Sequence, residues 1–92
     1  MKTETTYTRR IVGVISEGSD DSALTIIASY SFTEDRDGFM KIHELSVYGA
    51  YPNILRILYL GNPLAFAKQV EKQIKDIEGQ KAIFINKTVT IL

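Results

Sequence analysis

The single histidine of this 92-residue chain, His43, is the first residue to consider for chemistry, because the sequence contains no Cys. Pairing the strand-like segments on either side of the turn Glu34–Gly38 places Ser29 beside His43, which is an arrangement of nucleophile and base. A catalytic triad also needs a group that orients the imidazole, and Glu44 would point to the opposite face of a regular strand. We therefore expect an ordinary strand histidine and no enzyme activity.

Two acidic segments raise the question of a metal site. They consist of Glu17, Asp20 and Asp21, and of Glu34, Asp35 and Asp37. The strand between them would be roughly 35 Å long, so the segments lie too far apart to share an ion. The second segment lacks the ligand series and the distal glutamate of a calcium loop. We expect solvated turns, with no metal and no other cofactor.

The sequence Gly61-Asn62-Pro63 predicts a helix start, where free backbone N–H groups and the helix dipole favour an anion. An arginine near Asn62 could complete a site for a phosphate or a nucleotide, and the candidates are Arg9, Arg10 and Arg56. The chain has no glycine-rich phosphate motif. The alternative function is binding of a small anionic ligand at this helix start. One form of this alternative places the binding site at a subunit interface.

One long helix over residues 63–78 is the clearest element. Asn62 suits its N-cap, Pro63 its first turn and Gly79 its C-cap. An apolar stripe recurs along it at helical spacing, made of Phe66, Ala67, Val70, Ile74 and Ile77.

Strand character surrounds this helix. The predicted strands cover residues 6–16, 23–33, 39–49 and 81–92. The apolar run 54–60 fits a buried strand or a short helix, and the turn residues that flank it favour a strand. The predicted fold is a single α+β domain over residues 1–92. Its order is β-β-β-β-α-β, with a mainly antiparallel sheet and one helix on one face.

Glu44 breaks the alternation of the third strand. A regular strand would place Glu44 on the apolar face and point Leu45 and Val47 outward. A bulge near His43 would reverse the alternation. Otherwise Glu44 is a buried carboxylate paired with an arginine, or Leu45 and Val47 join Ile27 in an outward apolar patch that binds a partner.

The composition limits the function classes. Eleven basic residues balance eleven acidic ones at a sequence pI near 6.6, which makes nucleic-acid binding an unfavoured class. The amino terminus lacks an apolar signal core, and no apolar run approaches membrane-spanning length. We expect a cytoplasmic protein, and the size and composition would suit a bacterial or phage source.

The predicted function is protein binding by a small accessory, regulatory or inhibitory factor. A small domain gains burial by pairing with a second copy, so we expect a homo-oligomer. The uncovered face of the sheet is the predicted contact surface, and tyrosines near loops are typical of interfaces. The predicted contact residues are Ile27, Leu45, Val47, Tyr48 and Tyr51.

Overall fold

A computed structural model describes residues 5–16 and 23–92, which form a sheet and two helices on one side of it. In chain order the elements are β1 (Tyr7–Ile15), β2 (Leu24–Glu34), β3 (Met40–Gly49), α1 (Pro52–Gly61), α2 (Pro63–Glu78), β4 (Ala82–Phe84) and β5 (Val89–Ile91). The α+β class with a mainly antiparallel sheet is confirmed. None of the helices in these residues is both long and apolar enough to cross a membrane.

The sheet has a parallel edge. Strands β1, β2 and β3 pair antiparallel in that order. Strands β4 and β5 both pair parallel with β3, β4 beside Met40–Ile42 and β5 beside Leu45–Val47. The predicted strand 81–92 is therefore two short strands that lie in succession along one edge. The chain crosses from β3 to this edge through the helices, as a parallel connection requires.

The predicted helix over residues 63–78 is confirmed as α2. The side chain of Asn62 accepts a hydrogen bond of 3.2 Å from the backbone N–H of Ala65, as an N-cap does. Gly79 has a φ of 87°, and its N–H donates to the carbonyl of Lys75 at 2.8 Å. Both ends of α2 thus follow from local sequence signals.

The predicted strand 54–60 is wrong, because these residues form α1. Pro52 lies in the first turn of α1, where its missing N–H costs no hydrogen bond. The backbone N–H of Leu55 then donates to the carbonyl of Tyr51 at 3.1 Å and closes the first turn. The observed order is β-β-β-α-α-β-β, with two helices in place of one.

A β-bulge lies in β3 at His43. Ser31 pairs with Glu44 and Phe32 pairs with Ile42, so His43 is an extra residue opposite this step of β2. The predicted bulge near His43 is confirmed. It inserts one residue into β3 and reverses the alternation of every residue that follows.

The bulge decides where the next side chains point. Glu44 is exposed, whereas Leu45 (2% exposed) and Val47 (0%) belong to the core. The alternatives of a buried Glu44 carboxylate and of an outward patch with Leu45 and Val47 are therefore wrong.

The core lies between the helices and one face of the sheet. Its largest fully buried side chains are Tyr30, Ile15, Ile26, Ile42, Leu55, Ile74, Val47 and Val70. Each aliphatic side chain of this kind contributes roughly 1.5–3 kcal/mol by burial. Among residues 5–16 and 23–92, no element covers the opposite face of the sheet.

Candidate functional site

Helix α1 presents large apolar side chains to solvent and buries only Leu55. We call this exposed row the α1 stripe, and its members are Tyr51 (60% exposed), Ile54 (46%), Ile57 (68%), Leu60 (76%) and Leu64 (61%). Successive members lie three or four residues apart, so those on α1 occupy one broad side of the helix. Tyr51 precedes α1 and Leu64 follows it in the first turn of α2.

Packing on the opposite side fixes α1 against the sheet. Leu55 and Ile57 point in nearly opposite directions, because two residues correspond to roughly 200° of helical rotation. A Cβ atom on Gly49 would lie 3.4 Å from the Leu55 Cδ1 atom and 3.0 Å from the Thr25 carbonyl oxygen. The lack of a side chain at Gly49 thus gives Leu55 room at the end of β3.

The extent of the α1 stripe separates it from scattered surface residues. The largest apolar patch on a typical monomer covers about 300–600 Å², and a patch of that size often marks an interaction site. The five side chains of the α1 stripe, each 46–76% exposed, fall within a segment of 14 residues. Single exposed leucines need no explanation, but three exposed apolar side chains at intervals of three on one helix do.

The predicted partner-binding residues divide into three groups. Tyr51 belongs to the α1 stripe. Ile27 and Tyr48 are half-buried on the uncovered sheet face, and Ile27 pairs with both Val12 and Tyr48. Leu45 and Val47 are core residues, so their predicted place on an outward surface is wrong.

The rest of the uncovered sheet face is rich in hydroxyl groups. Arg10 pairs with Ser29, Ser29 with Ser46, and Ser46 with Thr90, which forms a polar row across the strands. Such a row is typical of the solvated face of an antiparallel sheet. The same face also carries apolar side chains, with Val12 (72% exposed) and Val14 (45%) on β1 and Ile27 between Val12 and Tyr48.

The predicted pairing of Ser29 with His43 is wrong. Ser29 lies opposite Ser46, because the turn is longer than expected and the bulge adds a further residue to β3. The His43 Nε2 atom instead lies 2.8 Å from the Oγ1 atom of Thr33, a residue that is 6% exposed. This contact gives a buried hydroxyl its partner and assembles no nucleophile–base pair at Ser29.

The acidic turn at Glu34–Gly38 is stabilised by one of its own carboxylates. The Asp35 Oδ1 atom accepts hydrogen bonds from the N–H groups of Asp37 and Phe39, both at 2.9 Å, as an Asx turn does. The other acidic segment, residues 17–21, lies outside the described residues. Within residues 5–16 and 23–92, no three potential ligands are grouped as a metal ion requires.

The predicted anion-binding residues are not brought together. The Asn62 side chain caps α2, and Arg56 donates to Asn53 at 3.2 Å. Arg9 contacts Glu78 at the other end of α2, about 24 Å from the helix start at 1.5 Å per residue. Arg10 lies on the sheet face away from the helices, beside Ser29. The predicted arginine site is therefore wrong.

A cavity of about 540 Å³ does lie at this helix start, between α1, α2 and the end of β1. Its described lining is Ile15, Ser16, Ile57, Leu58, Gly61, Asn62, Ala65, Phe66 and Gln69. None of these residues carries a charge, so the lining suits a neutral, largely apolar group. Ile57 belongs to both the cavity wall and the α1 stripe.

A further polar cluster consists of Glu78, Tyr30 and Arg9. The Glu78 carboxylate, whose side chain is 5% exposed, accepts hydrogen bonds from Arg9 and from the Tyr30 hydroxyl, the latter at 2.6 Å. Burial, and then the bond to Glu78, raise the pKa of Tyr30 well above its ordinary value. The bond to Glu78 raises the pKa of Arg9. A phenol that holds its proton this firmly is no base, so the cluster fastens the end of α2 to the sheet.

Sequence reasoning missed most of the α1 stripe, because it assigned residues 54–60 to a strand. The signal that could have found it is Pro52 followed by apolar residues at intervals of three. It also missed Gln69 and Gln73 of α2, whose side chains bind the backbone of β1. Nothing in the sequence distinguishes these two glutamines from other polar residues of the helix.

We compared the chain with protein-family models, curated proteins and solved structures, and it matches none of them.

Proposed function

We propose that this protein is a small, non-enzymatic protein-binding factor that pairs with a second copy of itself through the α1 stripe. The observation that supports the proposal is the exposure of five large apolar side chains, three on α1 and one beyond each of its ends. Burying such a row removes an unfavourable apolar surface from water. An accessory or regulatory role is a natural use for a domain of this kind.

The size of the stripe supports a second copy as the partner. A standard interface buries about 800 Å² on each side, and the five exposed side chains of the α1 stripe would form the apolar centre of one. Obligate homodimer interfaces are more apolar than other interfaces. The exposed row contains no charged member, and Arg56 is the one charged residue of α1.

The spacing of the stripe also suits a two-fold axis. Ile54 and Leu60 each lie three residues from Ile57. If two α1 helices pack antiparallel about an axis at Ile57, Ile54 meets Leu60 of the partner subunit, and the reciprocal contact forms by symmetry. One patch can thus serve both copies.

The experiment compares Lys substitutions on two surfaces. Ile57→Lys combined with Leu60→Lys should convert a dimer into a folded monomer, measured by light scattering with circular dichroism as the check on folding. Val12→Lys is the matched control, because Val12 is 72% exposed on the sheet face and its substitution should leave the dimer mass unchanged.

Two outcomes contradict the proposal. The first is a wild-type protein that stays monomeric at every attainable concentration. The second is a folded Ile57→Lys, Leu60→Lys variant that keeps the dimer mass. Loss of the dimer in Val12→Lys alone would instead identify the uncovered sheet face as the interface.

A second candidate function is small-ligand binding in the cavity between α1 and α2, and its volume favours this candidate. The uncharged lining supports a neutral apolar ligand over the anionic one that the helix start suggests. Ligands that bind only the folded state raise the melting temperature. A thermal-shift comparison of small aromatic compounds with inorganic phosphate and nucleotides separates the two classes, and no shift with any of them rejects both.

A further inference from the structure

Two glutamine side chains of α2 bind the backbone of β1 at the edge that faces away from β2. The Gln73 amide accepts from the N–H of Val14 at 2.8 Å and donates to the Val14 carbonyl at 2.7 Å. The Gln69 amide makes the same pair of bonds with Ser16, at 3.0 and 2.9 Å. Each amide therefore satisfies both the donor and the acceptor of one backbone residue.

These four bonds reproduce those of a neighbouring strand. Val14 and Ser16 are two residues apart, so their N–H and C=O groups point to the same side of β1, away from β2. Two residues span about 6.6–6.8 Å along a strand, and the four residues from Gln69 to Gln73 span about 6 Å along a helix. The helical spacing matches the strand spacing within about 1 Å.

Gly13 makes room for this arrangement. A Cβ atom at Gly13 would overlap the Gln73 Oε1 atom, so any other residue there displaces the amide. The Gln73 amide also donates to the backbone carbonyl of Gln69 at 3.2 Å, which holds this amide against its own helix. The lack of a side chain at Gly13 in β1 thus matches the position of the Gln73 amide on α2.

We propose that Gln69 and Gln73 act together as a substitute strand that closes the carboxyl-terminal half of the β1 edge against pairing with a strand of another chain. An uncovered edge is a template for aggregation or strand exchange. The amides occupy every outward backbone group of Val14 and Ser16, so an incoming strand must first displace four hydrogen bonds. Self-association is thereby directed away from this half of the edge.

The remaining half of the edge has a different protection. Antiparallel self-pairing centred on Arg10 would place two arginines opposite each other, and like charges in that position are destabilising. Thr8 and Val12 flank Arg10 at the outward positions of the edge. The part of the edge that the glutamines bind and the part around Arg10 together cover the length of β1.

The test is Gln69→Met combined with Gln73→Met, which keeps size and helix propensity but removes the amides. Amide hydrogen exchange at Val14 and Ser16 should become roughly five- to tenfold faster, the effect of losing about 1 kcal/mol per bond. The variant should also form larger species in light scattering. Gln80→Met, at an exposed glutamine outside α2, should change neither property.

Gly13→Ala tests the same proposal without changing either glutamine. It should accelerate exchange at Val14 and leave Ser16 unchanged, because only Gln73 is displaced. Unchanged exchange at Val14 in a folded Gly13→Ala variant overturns the proposal. So does a folded double variant that keeps slow exchange at both residues, and Ile57→Lys, which tests the dimer, should leave both rates unaltered.

Discussion

At the scale of single residues, Glu78 shows how a carboxylate can be buried in a small domain. Its partners come from two strands, Arg9 from β1 and Tyr30 from β2. A charge that is removed from water needs both a countercharge and hydrogen bonds, and this cluster provides them. The Arg9 guanidinium also lies 5.2 Å from the centre of the Phe32 ring, which adds a cation–π contact.

Tyr30→Phe removes one of these hydrogen bonds and should lower the free energy of unfolding by about 1–3 kcal/mol. Urea denaturation at neutral pH measures this loss. Tyr51→Phe is the control, because the Tyr51 side chain is exposed and its hydroxyl should contribute little. Equal stabilities of Tyr30→Phe and the wild type would contradict the role of the cluster.

The Tyr30 phenol also predicts a pH dependence. Its pKa is raised in the folded state, so the folded protein keeps this proton at a pH where the unfolded chain loses it. The contribution to stability is complete below the unfolded pKa of about 10 and is lost as the pH rises above it. Urea denaturation of the wild type should show a decline above about pH 10 that is smaller in Tyr30→Phe.

At the scale of elements, local signals account for α2 and for the turn between β2 and β3. Asn62, Pro63 and Gly79 define the ends of α2 through their own conformations and hydrogen bonds. Helix α1 has a weaker signal, because Pro52 and the polar pair Asn53 and Arg56 are its main sequence marks of a helix. The exposure of Ile57 depends on tertiary packing that the seven-residue pattern 54–60 does not encode.

The bulge in β3 was predictable because Glu44 breaks an otherwise regular pattern. The alternation after it follows from one inserted residue, so the burial of Leu45 and Val47 could have been read from the same anomaly. The register with β2 could not, since the length of the turn depends on the Asx turn at Asp35. The candidate site was therefore predicted in part, through Tyr51. The hydrogen bonds of Gln69 and Gln73 with β1 were not predictable, because they join elements that are distant in the sequence.

Deletion of His43 should leave the fold intact, because His43 is the extra residue of the bulge. Removing it joins Ile42 to Glu44 with both side chains keeping their faces. The variant should unfold cooperatively in a thermal melt, at a lower temperature because the Thr33 hydroxyl loses its partner.

Deletion of Ser46 is the matched control. It would turn Val47 outward and the core would lose this side chain. We expect no cooperative unfolding transition for this variant. A His43 deletion that behaves like the Ser46 deletion would contradict the interpretation of the bulge.

At the scale of the whole molecule, a domain of this size buries a smaller share of its surface than a larger domain does, and two surfaces are left uncovered on the described residues. The α1 stripe consists of apolar and aromatic side chains alone, whereas the sheet face mixes hydroxyl groups with Arg10, Val12 and Val14. A formal net charge of zero gives no long-range repulsion between copies. These properties together favour pairing through the more apolar surface.

If folding and pairing are coupled, the melting temperature of the wild type should rise with protein concentration, because mass action favours the dimer. Differential scanning calorimetry over a hundredfold range would measure the increase. Ile57→Lys with Leu60→Lys should melt at one temperature throughout that range. A concentration-independent wild type would contradict the coupling.

The parallel edge formed by β4 and β5 has a consequence for the order of folding. Hairpins between β1, β2 and β3 involve neighbours in the chain, but Ile42 must find Phe84, about forty residues further along. Contacts between distant segments form slowly, because a long loop has to close, at a cost in entropy, before the contact can stabilise the fold. We expect the antiparallel meander of β1, β2 and β3 to assemble early. The other flank of β3, which pairs with β4 and β5, should acquire its partners only after both helices have formed. During biosynthesis, the backbone groups on that flank stay without their strand partners until β4 and β5 have been made.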